Sequence, residues 1–269
     1  MIKLIITDMD GTFLNSVGDY NRTLFQQVNQ KMQQAGVHFS PCTGKQVERV
    51  EELFGDISRD FWILGDSATR IKPQGEYVYQ SLLPNSLGQA IIDRLQSEQG
   101  EHIIIACTPD GAYLQDSTPE PLKALMRRSY TKLTEVRHYQ QIDGDFVKIT
   151  VYDPKGGCPE LRTHLTDFDE QAYIVVSEAN WIDIANQGVH KGTTVARLQE
   201  MLGVTEQETM VFGDGFNDIE LMERGAFSFA MRNAFPETQA AANYITGSND
   251  QDAVMTTILQ MLQLQEKSK

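Results

Sequence analysis

Two carboxylates, Asp8 and Asp10, stand two residues apart just after an apolar run, and Gly11 and Thr12 follow at once. In a strand, residues i and i+2 share a side. If both acids extend the strand geometry, they face one spot, and Gly11 lets the backbone turn sharply there. Charge gathered in this way is costly unless something positive sits beside it. A second acidic group, GDGFND at residues 213–218, also follows a short apolar segment and sets Asp214 between two glycines, with Asn217 and Asp218 in the turn beyond. One such string is an ordinary loop. Two of them, at strand tips of one sheet, make a hard, oxygen-rich site over Asp8, Asp214 and possible ligand Asp218, whose natural occupant is Mg²⁺.

Two further positions fit that site. Thr43 and Gly44 lie between a strand and a helix signal. Thr43 can serve as a helix N-cap, and its hydroxyl with the nearby amides can hold a phosphate. Lys191 precedes a helix signal at Thr193. A cation there opposes the helix dipole, a conflict that pairing with a carboxylate or phosphate removes.

The elements that must position these residues alternate. Residues 2–7 read as a strand buried on both faces. Leu24, Phe25, Val28, Met32 and Ala35 recur at helical spacing, with Gly36 as the stop. Residues 37–42 form a strand if Pro41 lies at its end. A helix over 46–54 and a strand over 61–64 follow. The rhythm resumes late, with a helix over 193–202, strands over 209–212 and 226–231, a helix starting at 219 and another over 253–264. Residues 266–269 read as a polar tail. This βαβ order implies a parallel sheet covered by helices. The middle of the chain reads differently, as an inserted α+β unit. There Val147, Ile149 and Val151 alternate with Lys148, Thr150 and Tyr152, the period of a half-exposed strand. Lys148 is therefore expected at the surface, solvated or paired, with a substrate contact as the alternative.

The bulk properties narrow the class. A chain of 269 residues allows one large domain or two modest ones, and 41% hydrophobic content supports a real core. With 23 Lys and Arg against 37 Asp and Glu the net charge is −14, which argues against a nucleic-acid partner but not against a small anionic substrate. Three scattered cysteines without a CxxC pair suit reduced thiols. No apolar run approaches the roughly 20 residues that span a membrane, and the apolar start is too short for a signal peptide. The expectation is a cytoplasmic protein with no membrane partner.

The DMDGT stretch resembles the first motif, DxDGT, of the haloacid-dehalogenase-like hydrolases. Thr43-Gly44 is similar to their second motif, Lys191 to the third and GDGFND to the fourth, in the same order and with matching separations. The insertion between the second and third motifs resembles the type IIB capped branch, the Cof-like sugar phosphatases. The resemblance implies a Rossmann-like three-layer α/β core over 1–82 and 188–269, with a parallel sheet, and an inserted α+β cap over 83–187. It implies a Mg²⁺-dependent phosphatase of small phosphorylated metabolites, sugar phosphates foremost. In it Asp8 is the nucleophile that forms an aspartyl-phosphate, and Asp10 is the general acid and base. Asp8, Asp10 (through its carbonyl), Asp214 and Asp218 hold or support the metal, and Thr43, Gly44, Lys191 and Asn217 position phosphate and nucleophile. Two departures stand out: Ser67, within GDSAT at 65–69, takes the usual place of Asn, and Lys45 that of a common Arg.

Other readings share part of this set. A phosphomutase or phosphotransferase would use the same nucleophile and also retain Asp10. A receiver-like signalling domain gathers acids, a Thr and a Lys around Mg²⁺, but needs neither the second Asp nor the long insertion. A silent phosphate-binding protein would have no use for intact Asp8, Asp10, Lys191 and Asp214.

Overall fold

The computed structural model describes residues 1–267. They form two compact units. The first comprises Met1–Thr43, Arg59–Leu64 and the chain from Lys191 onward, and the second comprises Gly44–Ser58 and Gly65–His190.

The first unit is built on a five-stranded sheet ordered Tyr244–Ile245, Phe227–Ala230, Thr209–Gly213, Leu4–Thr7, His38–Pro41, with every pairing parallel. Leu4–Thr7 is buried along its whole length, as a run of apolar residues without polar alternation requires. It lies between two neighbours, with Leu4 opposite both Thr209 and His38. Pro41 ends its strand, where a missing N–H is tolerated. The helix Arg22–Ala35 starts at Asn21, whose side chain accepts from the Leu24 N–H, and stops at Gly36 in the left-handed region at φ 66°. Its buried face carries Phe25, Val28 and Met32. Phe25 and Phe39 meet Phe13 and Phe61 in an aromatic cluster with centroids 5.0–6.0 Å apart, within the range at which such rings attract.

The last helix is longer than its apolar pattern suggests. It runs Ala253–Lys267, so Glu266 and Lys267, read above as tail, form its final turn; residues 268 and 269 lie outside the described residues. The helix expected from Thr193 starts at Lys191 instead.

The second unit holds a six-stranded sheet ordered Ala172–Glu178, Trp181–Asn186, Lys148–Tyr152, Ile103–Thr108, Gly111–Gln115, Leu133–Val136. Its pairings are antiparallel except the last, which is parallel. Ile91, Ile92 and Leu95 of the helix Asn85–Ser97 pack with Ile104, Ile149, Ile182 and Ile184 of the sheet. The alternation at 147–152 misleads here. Lys148 and Thr150 are as buried as their apolar neighbours, because the strand is internal and a charged partner waits inside for the lysine.

A departure from ordinary backbone sits at Asp66, Ser67 and Ala68, three consecutive residues with φ of 54°, 60° and 61°. Left-handed conformation costs a non-glycine residue roughly 1–2 kcal/mol, so the surroundings must hold this turn in place. The Thr69 hydroxyl donates to the Asp66 carbonyl at 2.8 Å, and all of 66–70 is buried or nearly so.

Among the described residues no helix is long and apolar enough to cross a membrane. All three cysteines are free and buried.

Candidate active site

Three strand tips converge in the first unit. The Asp8 N–H donates to the Phe212 carbonyl at 3.0 Å, and the Cys42 N–H donates to the Thr7 carbonyl at 2.8 Å. Asp8, the segment from Gly213 and the segment from Cys42 therefore leave the carboxyl edge of the sheet side by side, where parallel sheets place their sites.

Past Asp8 the chain makes a wide turn over Met9–Phe13, closed by the Leu14 N–H on the Met9 carbonyl at 2.8 Å. Gly11 adopts φ 71°, and a Cβ there would overlap the Asp214 carboxylate, so the position admits only glycine. The turn separates the two acids of the first motif: Asp8 is buried and Asp10 is exposed.

Asp8, Asp214 and Asp218 bring carboxylate oxygens within 4.8 Å of one another. Asp10 is outside that group of side chains. Lys191, 2% exposed as the first residue of its helix, places Nζ 2.7 Å from Asp8 Oδ1 and 2.6 Å from Asp218 Oδ1. The conflict with the helix dipole is resolved by these two carboxylates. Asp218, fully buried, is also a fastener: its Oδ2 accepts from the Asp214 and Gly215 N–H groups at 2.9 and 3.0 Å. Gly213 has to be glycine for this, since a Cβ would stand 2.6 Å from that of Asp218.

Burial pushes the Asp8 carboxyl well above the usual carboxylate range; Lys191 opposes this, and Asp218 and Asp214 add to it. Burial works against the charge of Lys191, but Asp218 and Asp8 outweigh it and hold the ammonium firmly protonated. Three carboxylates against one ammonium leave the cluster with excess negative charge, and its donors are all oxygen. That set fits a hard divalent cation.

The remaining expected residues lie nearby or in the adjoining segment. Thr43 is buried, and its N–H donates to the Leu64 carbonyl at 2.9 Å. It does not cap the following helix, which begins at Val47 after Gln46 and receives the Asp66 carboxylate on the Val47 N–H. Gly44 follows Thr43 and belongs to the second unit. Asn217, half-buried, lies in the single turn Phe216–Asp218.

Two contributors escaped the sequence reading. The Thr12 hydroxyl donates to Asp214 Oδ1 at 2.5 Å. Asn233 donates from Nδ2 to the Gly11 carbonyl at 2.7 Å, while its Oδ1 accepts from the Asn249 N–H at 3.1 Å. Thr12 had a signal, since it belongs to the DMDGT stretch. Asn233 had none. Lys148, expected at the surface, is 1% exposed and paired with Asp183.

The haloacid dehalogenase-like hydrolase family model matches residues 5–258. The chain belongs to that family. It is an enzyme of the hydrolase class. A curated relative is the 5-amino-6-(5-phospho-D-ribitylamino)uracil phosphatase YbjI of Escherichia coli K12, 30% identical over 262 residues, covering 97% of this chain and 96% of that protein. Among solved structures, SMU.1108c from Streptococcus mutans UA159 is similar with a TM-score of 0.92 at 26% identity, over 97% of this chain and 99% of that one. The subclass IIB sugar phosphatase BT4131 shares the fold, with a TM-score of 0.80 at 18% identity over 96% of this chain and 98% of that one. The parallel core sheet with an additional, mostly antiparallel sheet is the fold shared with these structures.

Proposed function

We propose that this enzyme is a Mg²⁺-dependent phosphatase of small phosphomonoesters, sugar phosphates foremost, acting through an aspartyl-phosphate in the cytoplasm. The observation that carries the reading is the buried Asp8 carboxylate, held by Lys191 Nζ at 2.7 Å beside Asp214 and Asp218. A carboxylate fixed at a strand tip, with a cation against it, is a nucleophile prepared for an anionic electrophile. The phosphatase name of the relative YbjI supports the same chemistry.

In this proposal an Asp8 oxygen attacks phosphorus. The P–O bond to the leaving group breaks, and Asp10 donates its proton to the departing alkoxide. Asp10 then takes a proton from water, which attacks phosphorus and frees inorganic phosphate and the Asp8 carboxylate. The exposure of Asp10 suits a group that must meet both leaving group and water. Lys191 offsets the negative charge that two anions bring together. Thr43, Gly44 and Asn217 would hold the phosphoryl oxygens. Asp8, Asp214 and the Asp10 carbonyl would hold Mg²⁺, with Asp218, its oxygens already engaged by Lys191 and two backbone amides, bracing Asp214. Mg²⁺, when bound, supplies charge neutralisation at the transferring phosphoryl group.

We assign 1–82 and 188–269 to the core and 83–187 to an inserted cap, although the compact units group 44–58 and 65–82 with the second sheet. The support is that every strand of the five-stranded sheet falls in the first set and every strand of the six-stranded sheet in the second.

The test is phosphate release from a panel of sugar and other small phosphoesters, comparing wild type with Asp8→Asn, each with Mg²⁺ and with chelator. Release that needs both Asp8 and the metal is expected. A stable phosphoenzyme without release would replace hydrolysis by transfer, and release undiminished in Asp8→Asn would remove the nucleophile assignment.

A further inference from the structure

Within the first unit, the turn that carries Asp10 is held from outside at two carbonyls. Asn233 donates from Nδ2 to the Gly11 carbonyl at 2.7 Å, and Asn249 donates from Nδ2 to the Leu14 carbonyl at 3.0 Å. The two asparagines are linked, because the Asn249 N–H donates to Asn233 Oδ1 at 3.1 Å. A carbonyl only accepts and an N–H only donates, so these partners leave the Asn233 amide a single orientation.

The segment around Asn233 is fastened to the other acidic loop. The Met231 N–H donates to the Gly213 carbonyl at 3.0 Å, the Phe235 N–H to the Asp214 carbonyl at 3.1 Å and the Thr238 hydroxyl to the Gly215 carbonyl at 2.8 Å. Three successive carbonyls of the loop that carries Asp214 are thus held by residues 231–238. From the same segment, the Asn233 side chain crosses to the first loop.

Gly11 makes this crossing consequential. Its φ of 71° and its approach to Asp214 require glycine, and glycine has the freest backbone of all residues. Asp10 immediately precedes it and is exposed, so burial does not fix its place. The Met9 carbonyl on one side of Asp10 is taken by the Leu14 N–H at 2.8 Å, and the Gly11 carbonyl on the other side by Asn233. Asn233 is itself exposed. A hydrogen bond at the surface adds little net stability, since water competes for both partners, so the effect of this one falls on placement.

We propose that Asn233 is a positioning residue for Asp10. By holding the Gly11 carbonyl, it removes the freedom that the required glycine brings and keeps Asp10 in step with the Asp214 loop. The inference rests on the reading of Asp10 as proton donor to the leaving group. An alkoxide leaving group needs that proton, whereas p-nitrophenolate, a stabilised anion, departs without it.

The experiment compares wild type with two variants. Asn233→Asp keeps an acceptor for the Asn249 N–H but has no N–H for Gly11; Asn233→Ala removes the donor without adding charge. The first readout is kcat/KM, which covers the steps up to departure of the leaving group, for p-nitrophenyl phosphate and for glucose 6-phosphate or the sugar phosphate that wild type hydrolyses fastest. The second is deuterium uptake by peptides spanning 9–14. Both variants are expected to keep the melting temperature, to lose about tenfold or more on the sugar phosphate and less than about threefold on p-nitrophenyl phosphate, and to exchange faster over 9–14. A loss shared equally by the two substrates, or no loss on either, overturns the proposal, and so does unchanged exchange. Should Asn233→Asp fail to fold, Asn233→Ala alone is held to the same outcomes. Absence of Asp8-dependent release in wild type would instead sink the phosphatase reading. Exchange over 9–14 then decides alone whether Asn233 holds the turn, with faster exchange in the variants supporting it and unchanged exchange overturning it.

Discussion

The Thr12 hydroxyl donates to Asp214 Oδ1 at 2.5 Å, joining the first acidic loop to the last across 202 positions of sequence. The Asn233 amide holds the Gly11 carbonyl of the same first loop. Partners that orient metal-binding groups typically contribute about 10–100-fold in affinity or activity. Thr12→Val should lower kcat/KM within that range and raise the Mg²⁺ concentration giving half-maximal rate. A metal titration of phosphate release checks it, and an unchanged titration would mean that Asp214 needs no orienting partner.

Lys191 holds Asp8 and Asp218 together inside the protein. Removing one partner of a buried ion pair typically costs about 3–5 kcal/mol, because the other charge is left stranded. Lys191→Met should lose that much stability in urea unfolding with chelator present, along with activity. Adding Asp218→Asn should restore part of the stability and none of the activity. Equal stability of the single variant and wild type would count against the pairing.

Asp66 predicts a pH dependence of stability. Burial is the main cause that lifts its carboxyl from an ordinary 3.8 to about 6; Lys148 and Arg70 oppose the rise and Glu48 adds to it. Arg70 lies 3.6 Å away, beyond hydrogen-bond reach, and Oδ2 has no donor. The folded state thus favours the protonated acid. The stability this contributes is fully present below about pH 3.8 and is lost as pH rises through about 6, a change on the order of 3 kcal/mol. Asp66→Asn should therefore melt higher than wild type at pH 7.5, with the gap shrinking at pH 4.5. The same gap at both values would mean that Asp66 does not titrate in this window.

The cysteines should be inert in the folded protein. Burial pushes the Cys42 and Cys107 thiols up to about 12 and Cys158 to about 11, and the thiolate is the reactive form. Iodoacetamide at pH 8 should modify none of the three in native protein and all of them in urea, read by mass spectrometry. Rapid native labelling at any position would show that its strand or helix opens.

The readable parts of the sequence were those where one local pattern carried one message. Leu4–Thr7 is uniformly apolar and uniformly buried, and the acids that end its strand and Thr209–Gly213 point to one another by type alone. Lys148 was misread because its pattern is locally that of a surface strand. Only Asp183, 35 positions on, makes burial of the ammonium tolerable, and no window of sequence spans that pair. Thr43 was open between cap and ligand, and the cap reading failed because the Asp66 carboxylate, on a left-handed turn no propensity favours, occupies the Val47 N–H instead. Asn233 acts through contacts with Gly11 and Asn249 that exist only once the sheet has closed.

The register of the central strand also governs how the protein can be made. Leu4–Thr7 pairs with His38–Pro41, close behind it in the chain, and on its other edge with Thr209–Gly213, which is synthesised about 200 residues later. A ribosome must therefore carry most of the chain with an apolar strand edge unsatisfied, the kind of surface that aggregates or calls on chaperones. Asp214 and Asp218 arrive only after Thr209–Gly213, so the nascent enzyme cannot assemble its charged centre before the fold is closed. A chain cut short before residue 209 would display Asp8 on an open edge with no catalytic use, and quality control would meet it as a misfolding hazard rather than as a weakened enzyme.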